Sequence, residues 1–140
     1  MRWRVRLDHA AVATHDPQKL KRVLALLGLD DEGSEPVPSQ GVITHFSKPA
    51  ASEPRIEILE STDPNGVVAK FLEKKGPGIH HLSFMIEEGT LETLEQSLRT
   101  NSIRLVYKTP QVGAHHTRVN FIHPESTGGI LIEIAEKTHT

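Results

Sequence analysis

His9, Glu57, His81 and Glu133 are the residues whose types and spacing suit chemistry with a metal ion. Ile56-Glu57-Ile58 and Ile132-Glu133-Ile134 are one triplet written twice, each near the end of one half of the sequence. His9 and His81 each sit early in that half, behind a polar residue (Asp8 or His80) and ahead of apolar ones. The His-to-Glu separation is 48 positions in one half (57−9) and 52 in the other (133−81). Strand side chains alternate faces, so each Glu points away from its two isoleucines. If the isoleucines pack on helices, both carboxylates leave by the other face. Two similar halves would then bring two imidazoles and two carboxylates to one concave surface. Four N/O ligands suit Zn, Co, Ni, Mn or Fe(II) and leave positions for a bidentate oxygen substrate. Taken alone, a Glu among isoleucines more often marks the solvated face of an antiparallel strand. A lone strand His is usually a satisfied structural residue. Duplication in matched order is what favours ligands.

The elements that must position these side chains repeat as well. Residues 5–13 and 79–85 read as strands, and a helical pattern follows each. In the first helix Asp16 is the cap, Pro17 the first helical residue and Gly28 the stop, with an apolar stripe of Leu20, Val23, Leu24 and Leu27. In the second, Thr90 caps and Leu91, Leu94 and Leu98 form the stripe. Leu20, Val23 and Leu27 recur as leucines 71 positions on (91−20, 94−23, 98−27). Further β-like runs cover 41–46 and 55–59, then 103–107, 118–122 and 130–135, with a poorly marked strand near 31–37. Val68, Phe71 and Leu72 suggest a linking helix that ends at Gly76-Pro77-Gly78. The expectation is one α+β domain over 1–140, with a βαβββ module at 1–62, a linking helix at 63–77 and a second βαβββ module at 78–140.

Composition narrows the class of function. A chain of 140 residues, 36% of them apolar, fits one modest core and is far from a membrane protein. The net charge of −2 points to neither nucleic acid nor an anionic membrane. No cysteine is present, so disulfides and thiolate zinc sites are excluded. The basic start, Met1 to Arg6, lacks the apolar run of a secretory signal. The cytoplasm is the expected location, or an organelle matrix after processing. Of the nine histidines, His15 and His139 are expected in solvent and His123, before Pro124, in a turn. Lys137 to Thr140 read as a frayed tail.

Leu7-Asp8-His9, Ile56-Glu57-Ile58-Leu59, Gly78-Ile79-His80-His81-Leu82 and Gly129-Ile130-Leu131-Ile132-Glu133 resemble the four ligand segments of the vicinal oxygen chelate superfamily. That superfamily includes the glyoxalases, bleomycin resistance proteins and dioxygenases. Within it the chain is most similar to the methylmalonyl-CoA epimerases. Val68 to Lys74, Pro110 to Ala114 and Phe121 to Pro124 resemble those enzymes too, so the likeness spans nearly the whole sequence. It implies a curved, barrel-like mixed sheet around a central metal site with His9, Glu57, His81 and Glu133 as ligands. His81 rather than His80 aligns with His9, and by parity the two face opposite ways. The implied cofactor is one divalent ion per chain, Co2+ or Zn2+ first, then Mn2+ or Ni2+. The implied partners are an acyl-CoA substrate and a second copy of the chain in a homodimer, with no nucleic acid and no membrane.

The same resemblance implies epimerisation of methylmalonyl-CoA at its α-carbon through a metal-stabilised enolate. Inversion takes a proton from one face and returns one to the other. Glu133 is the family-style carrier for one face. Some of these epimerases have a glutamate on the third strand of the first half, and aligning Gln40-Gly41-Val42 puts Thr44 there. A water held by Thr44, or a histidine of the 115–116 loop, could serve in its place. His45 has a suitable pKa but should point to the other face. Lys74, Lys75 and Arg118 could meet the coenzyme A phosphates, although solvated charge is the commoner fate of such residues. The alternatives are a glyoxalase-type lyase acting on a glutathione hemithioacetal and a small-molecule binding module of the resistance type. A binding module need not keep four ligands, and a dioxygenase facial triad needs two His and one carboxylate.

Overall fold

The computed structural model describes residues 3–48 and 54–138. The expectations for Met1, Arg2, His139 and Thr140 therefore lie outside the described residues. The strands are β1 (Arg4–Ala13), β2 (Asp30–Val37), β3 (Val42–Lys48), β4 (Arg55–Ser61), β5 (Gly78–Glu88), β6 (Gln111–Val112), β7 (Thr117–Ile122) and β8 (Ile132–Lys137). The helices are α1 (Pro17–Leu26), α2 (Val67–Lys75) and α3 (Leu91–Thr100). This is an α+β chain in which β-α-β-β-β occurs twice, with α2 between. Among the described residues no helix is long and apolar enough to cross a membrane.

The chain falls into two compact units, His9–His80 and the remainder. In the first, the strand order is β2-β3-β4-β1. β1 and β4 run parallel, while β2–β3 and β3–β4 are antiparallel. Asp16 caps α1 by accepting the Lys19 N–H at 3.1 Å, and Pro17 occupies the first turn, where a missing N–H costs nothing. The stripe of α1 is a correction to expectation. Leu20 and Leu24 are half-buried, but Val23 is 51% and Leu27 70% exposed. The helix is turned so that Pro17 is its buried residue, which rolls the far side of the stripe into solvent. β2 carries a bulge between Asp31 and Ser34, where Gly33 has φ +98°. That break in alternation explains why this strand is poorly marked in the sequence.

In the other unit the order is β5-β8-β7-β6, with β5 and β8 parallel and β7–β8 antiparallel. The pairing directions repeat those of the first unit. Thr90 caps α3 through a reciprocal bond with Thr93, and the Glu136 carboxylate accepts the Leu91 N–H at 2.9 Å. Leu91, fully buried, packs with Ile86 and Ile134, and Leu94 and Leu98 close over them. Burying Leu91 contributes roughly 2 kcal/mol. Ile134 thus faces the helix, as the triplet reading requires. Met85, Val119, Phe121 and Ala135 form a second cluster.

The run 103–107 is not a strand. It makes one isolated bridge, Leu105 to Ile122, and the ladder partner of β7 is the short β6 instead. The Asn120 side chain explains the difference. It accepts the Tyr107 N–H at 3.1 Å and donates to the Tyr107 carbonyl at 3.0 Å, taking groups a ladder would have used.

Candidate metal centre

Register sets the ligand face in the unit His9–His80. β1 places Ala11 opposite Glu57, and β3 places Phe46 opposite Glu57 and Thr44 opposite Leu59. Directly paired residues share a face, so His9, Ala11, Thr44, Phe46 and Glu57 line one surface. His9 Nδ1 lies 3.0 Å from Glu57 Oε2. Arg55 Nη2 donates to the same oxygen at 2.8 Å. Arg55 lies two residues before Glu57 on β4, so parity aims it at that face. His9 and Glu57 are both buried.

The other unit repeats the plan. β5 places Ser83 opposite Glu133, and β7 places Phe121 opposite Glu133. His81 lies two residues before Ser83 on β5 and shares its face. His81 Nε2 is 4.0 Å from Glu133 Oε1, and Ser83 Oγ donates to that same oxygen at 2.6 Å. The Phe121 ring meets His81 edge-on, with centroids 5.3 Å apart, and Tyr107 meets Phe121 in turn at 6.2 Å. His81, Ser83 and Glu133 are all buried.

Each unit therefore pairs one imidazole with one carboxylate, the donor types a divalent ion takes. Atoms bound at about 2.0–2.2 Å to one ion lie roughly 3–4 Å from each other. The 3.0 Å and 4.0 Å separations fit that spacing. Within the first unit the buried Glu57 carboxylate is compensated by the Arg55 guanidinium, which offsets the cost of burying its charge.

Parity sorts the other candidates. Thr44, 3% exposed, shares the Glu57 face, while His45 points the opposite way with Nε2 2.8 Å from Glu60 Oε1. His80 turns away from the face of His81 and packs edge-on against Phe71, centroids 5.0 Å apart. Burial lowers its pKa to about 4. His115 and His116 both have φ +54°, in the left-handed region, within the turn between β6 and β7. The His116 carbonyl accepts from Thr138 N and Oγ1, both at 2.8 Å. Arg118 lies between Glu92 and Glu136, 2.6 Å from each, and its hydrogen bond holds the Glu92 carboxyl below its usual range. His123 is a turn residue that accepts the Glu125 N–H at 3.0 Å, and His15 is exposed.

Sequence reading missed Arg55, Ser83, Phe46 and Phe121. The two phenylalanines carry a usable signal, since they precede Glu57 and Glu133 by eleven and twelve residues. Arg55 and Ser83 carry none, because nothing in the second half matches the first at those positions.

Residues 8–121 match the Glyoxalase/Bleomycin resistance protein/Dioxygenase superfamily. Methylmalonyl-CoA epimerase of Dictyostelium discoideum is 33% identical, over 94% of this chain and 78% of that protein. The crystal structure of methylmalonyl-CoA epimerase from Mycobacterium tuberculosis superposes with a TM-score of 0.88 at 34% identity, covering 95% of this chain and 88% of that one. A methylmalonyl-CoA epimerase in complex with methylmalonyl-CoA and NH4+ gives a TM-score of 0.87 at 27% identity, over 96% and 95% of the two chains.

Proposed function

Because this chain belongs to the Glyoxalase/Bleomycin resistance protein/Dioxygenase superfamily, and within it to the methylmalonyl-CoA epimerases, we propose that it inverts the α-carbon of methylmalonyl-CoA with the help of one divalent ion. The observation that carries this proposal is the duplicated buried pair, His9 with Glu57 and His81 with Glu133, one in each compact unit. These four residues are the proposed ligands, Co2+ or Zn2+ the proposed ions, and the two modules with their linking helix one functional domain. When bound, such an ion supplies positive charge against an oxygen on which negative charge develops as the α-proton leaves.

The protein's part is to hold and move protons. Glu133 takes the α-proton on one face; the C–H bond breaks, its electron pair passes into the thioester carbonyl, and the carboxylate gains the proton. Inversion is complete when a proton is delivered to the opposite face. Thr44 is proposed for that side, its hydroxyl relaying through water, since it lies on the Glu57 face while His45 does not. Phe46, Phe121 and Met85 keep these surfaces apolar, which strengthens each electrostatic contact made there. A homodimer and a cytoplasmic location complete the proposal.

A paired assay tests it. Methylmalonyl-CoA of one configuration and a mixture of methylglyoxal with glutathione are offered to the metal-loaded protein. Loss of optical purity in the first and no turnover in the second is the expected result. Turnover of the glutathione adduct alone would make the protein a glyoxalase-type lyase.

A further inference from the structure

The two ligand glutamates are equivalent in the duplication but are held by different chemistry. At the strand position opposite Glu57 stands Ala11, and at the matching position opposite Glu133 stands Ser83. Glu57 Oε2 is held by the Arg55 guanidinium at 2.8 Å, whereas Glu133 Oε1 takes the Ser83 hydroxyl at 2.6 Å. Both are hydrogen bonds to an ionised carboxylate, the short class roughly twice as strong as a bond between neutral groups, so each fixes the oxygen it reaches. Ser83 is fully buried, so bulk water does not compete for its bond. It also addresses the same oxygen that lies 4.0 Å from His81 Nε2, and thereby sets how that oxygen is presented beside the imidazole.

We propose that Ser83 is a positioning residue for Glu133, its hydroxyl fixing which carboxylate oxygen is presented beside His81. This rests on the assignment of Glu133 as proton carrier in the proposed function.

The test uses Ser83→Ala, Ser83→Thr, Glu133→Gln and the Ser83→Ala/Glu133→Gln double variant. Epimerase kinetics are measured on the Co2+-loaded proteins, and Co2+ affinity by calorimetric titration of the metal-stripped ones. Ser83→Ala is expected to lower kcat about tenfold with KM within about twofold, and to weaken Co2+ binding by about tenfold, the lower end for residues that orient a ligand. Ser83→Thr, which keeps the hydroxyl, restores kcat. In the Glu133→Gln background Ser83→Ala weakens Co2+ no further, because it acts through that carboxylate. Should Ser83→Ala melt far below the parent, Ser83→Cys, similar in volume and a weak donor, takes its place with the same expectations. Parental kcat and Co2+ affinity in the folded variant would overturn the proposal, as would an undiminished Co2+ effect in the Glu133→Gln background. If Glu133→Gln still exchanges the α-proton, the proton-carrier assignment fails instead, whatever Ser83 does to Co2+ affinity.

Discussion

Arg55 and His9 converge on one oxygen of Glu57, the guanidinium at 2.8 Å and the imidazole Nδ1 at 3.0 Å. Arg55→Ala strips a buried carboxylate of its charged donor. The expected cost is about 1.5–3 kcal/mol, the range for a hydrogen bond to a charged group. Arg55→Lys should recover only part of it, since an ammonium on a flexible stem lacks the planar fork. Urea unfolding of the metal-free protein measures both. An Arg55→Ala variant as stable as the parent would mean that Glu57 is satisfied without the guanidinium.

The proposed ligand set makes a stoichiometric prediction. Purified protein should carry about one divalent ion per chain by elemental analysis. Glu57→Ala and His81→Ala should each lose most of it, because three ligands chelate less well than four. Thermal stability should fall on chelation and return on adding Co2+, since an ion that binds only the folded state stabilises it by mass action. Full occupancy in both variants would remove Glu57 and His81 from the ligand set.

His80 and His81 are neighbours with opposite surroundings, so they should answer differently to the same mutation. His80→Ala should keep the metal and lose about 0.5–1.5 kcal/mol with the edge-on contact to Phe71. The pH dependence has a definite sign. Burial holds folded His80 neutral down to about 4, whereas an unfolded histidine takes its proton near the ordinary value of 6.5. Between those values the unfolded state binds more protons. The contribution is therefore whole above 6.5 and lost as pH falls toward 4, on the order of 2–3 kcal/mol. Unfolding curves at pH 7, 6, 5 and 4 should show stability falling steeply with acid in the parent and more gently in His80→Ala. Equal slopes in the two proteins would place the acid sensitivity elsewhere.

Much of this arrangement is legible in the sequence, because duplication turns weak signals into strong ones. A glutamate between isoleucines is ambiguous once, but Glu57 and Glu133 in the same triplet share a register, and strand parity then fixes their face. Asp16-Pro17 and Thr90 mark helix starts through local hydrogen bonding, which sequence encodes directly. What escapes is long-range choice. Residues 103–107 have β-like composition, yet Asn120, thirteen positions beyond Tyr107, takes its backbone groups. The α1 stripe has the right period, but period alone does not say how far the helix rolls over its sheet, and Leu27 ends exposed. Arg55 and Ser83 act only by reaching a carboxylate, and neither type announces that.

The second proton carrier decides whether the site inverts or merely exchanges. A threonine hydroxyl is too weak a base to take an α-proton near neutral pH unaided, so Thr44 is assigned a relay through water. Its position supports this: Thr44 is buried and lies two residues from Phe46, which stands directly opposite Glu57. His45, the more basic neighbour, is turned to the other face and engaged with Glu60 at 2.8 Å. Each pure epimer of methylmalonyl-CoA is incubated in deuterated water, with exchange at the α-carbon and inversion followed separately. Glu133→Gln should lose both processes. Thr44→Val keeps the shape and removes the hydroxyl, and should slow inversion by about tenfold or more, while exchange from the Glu133 side falls less. His45→Ala should leave both rates near the parent's and cost only stability. Inversion at the parental rate in Thr44→Val would dismiss the relay, and loss of inversion in His45→Ala alone would move the role to that histidine.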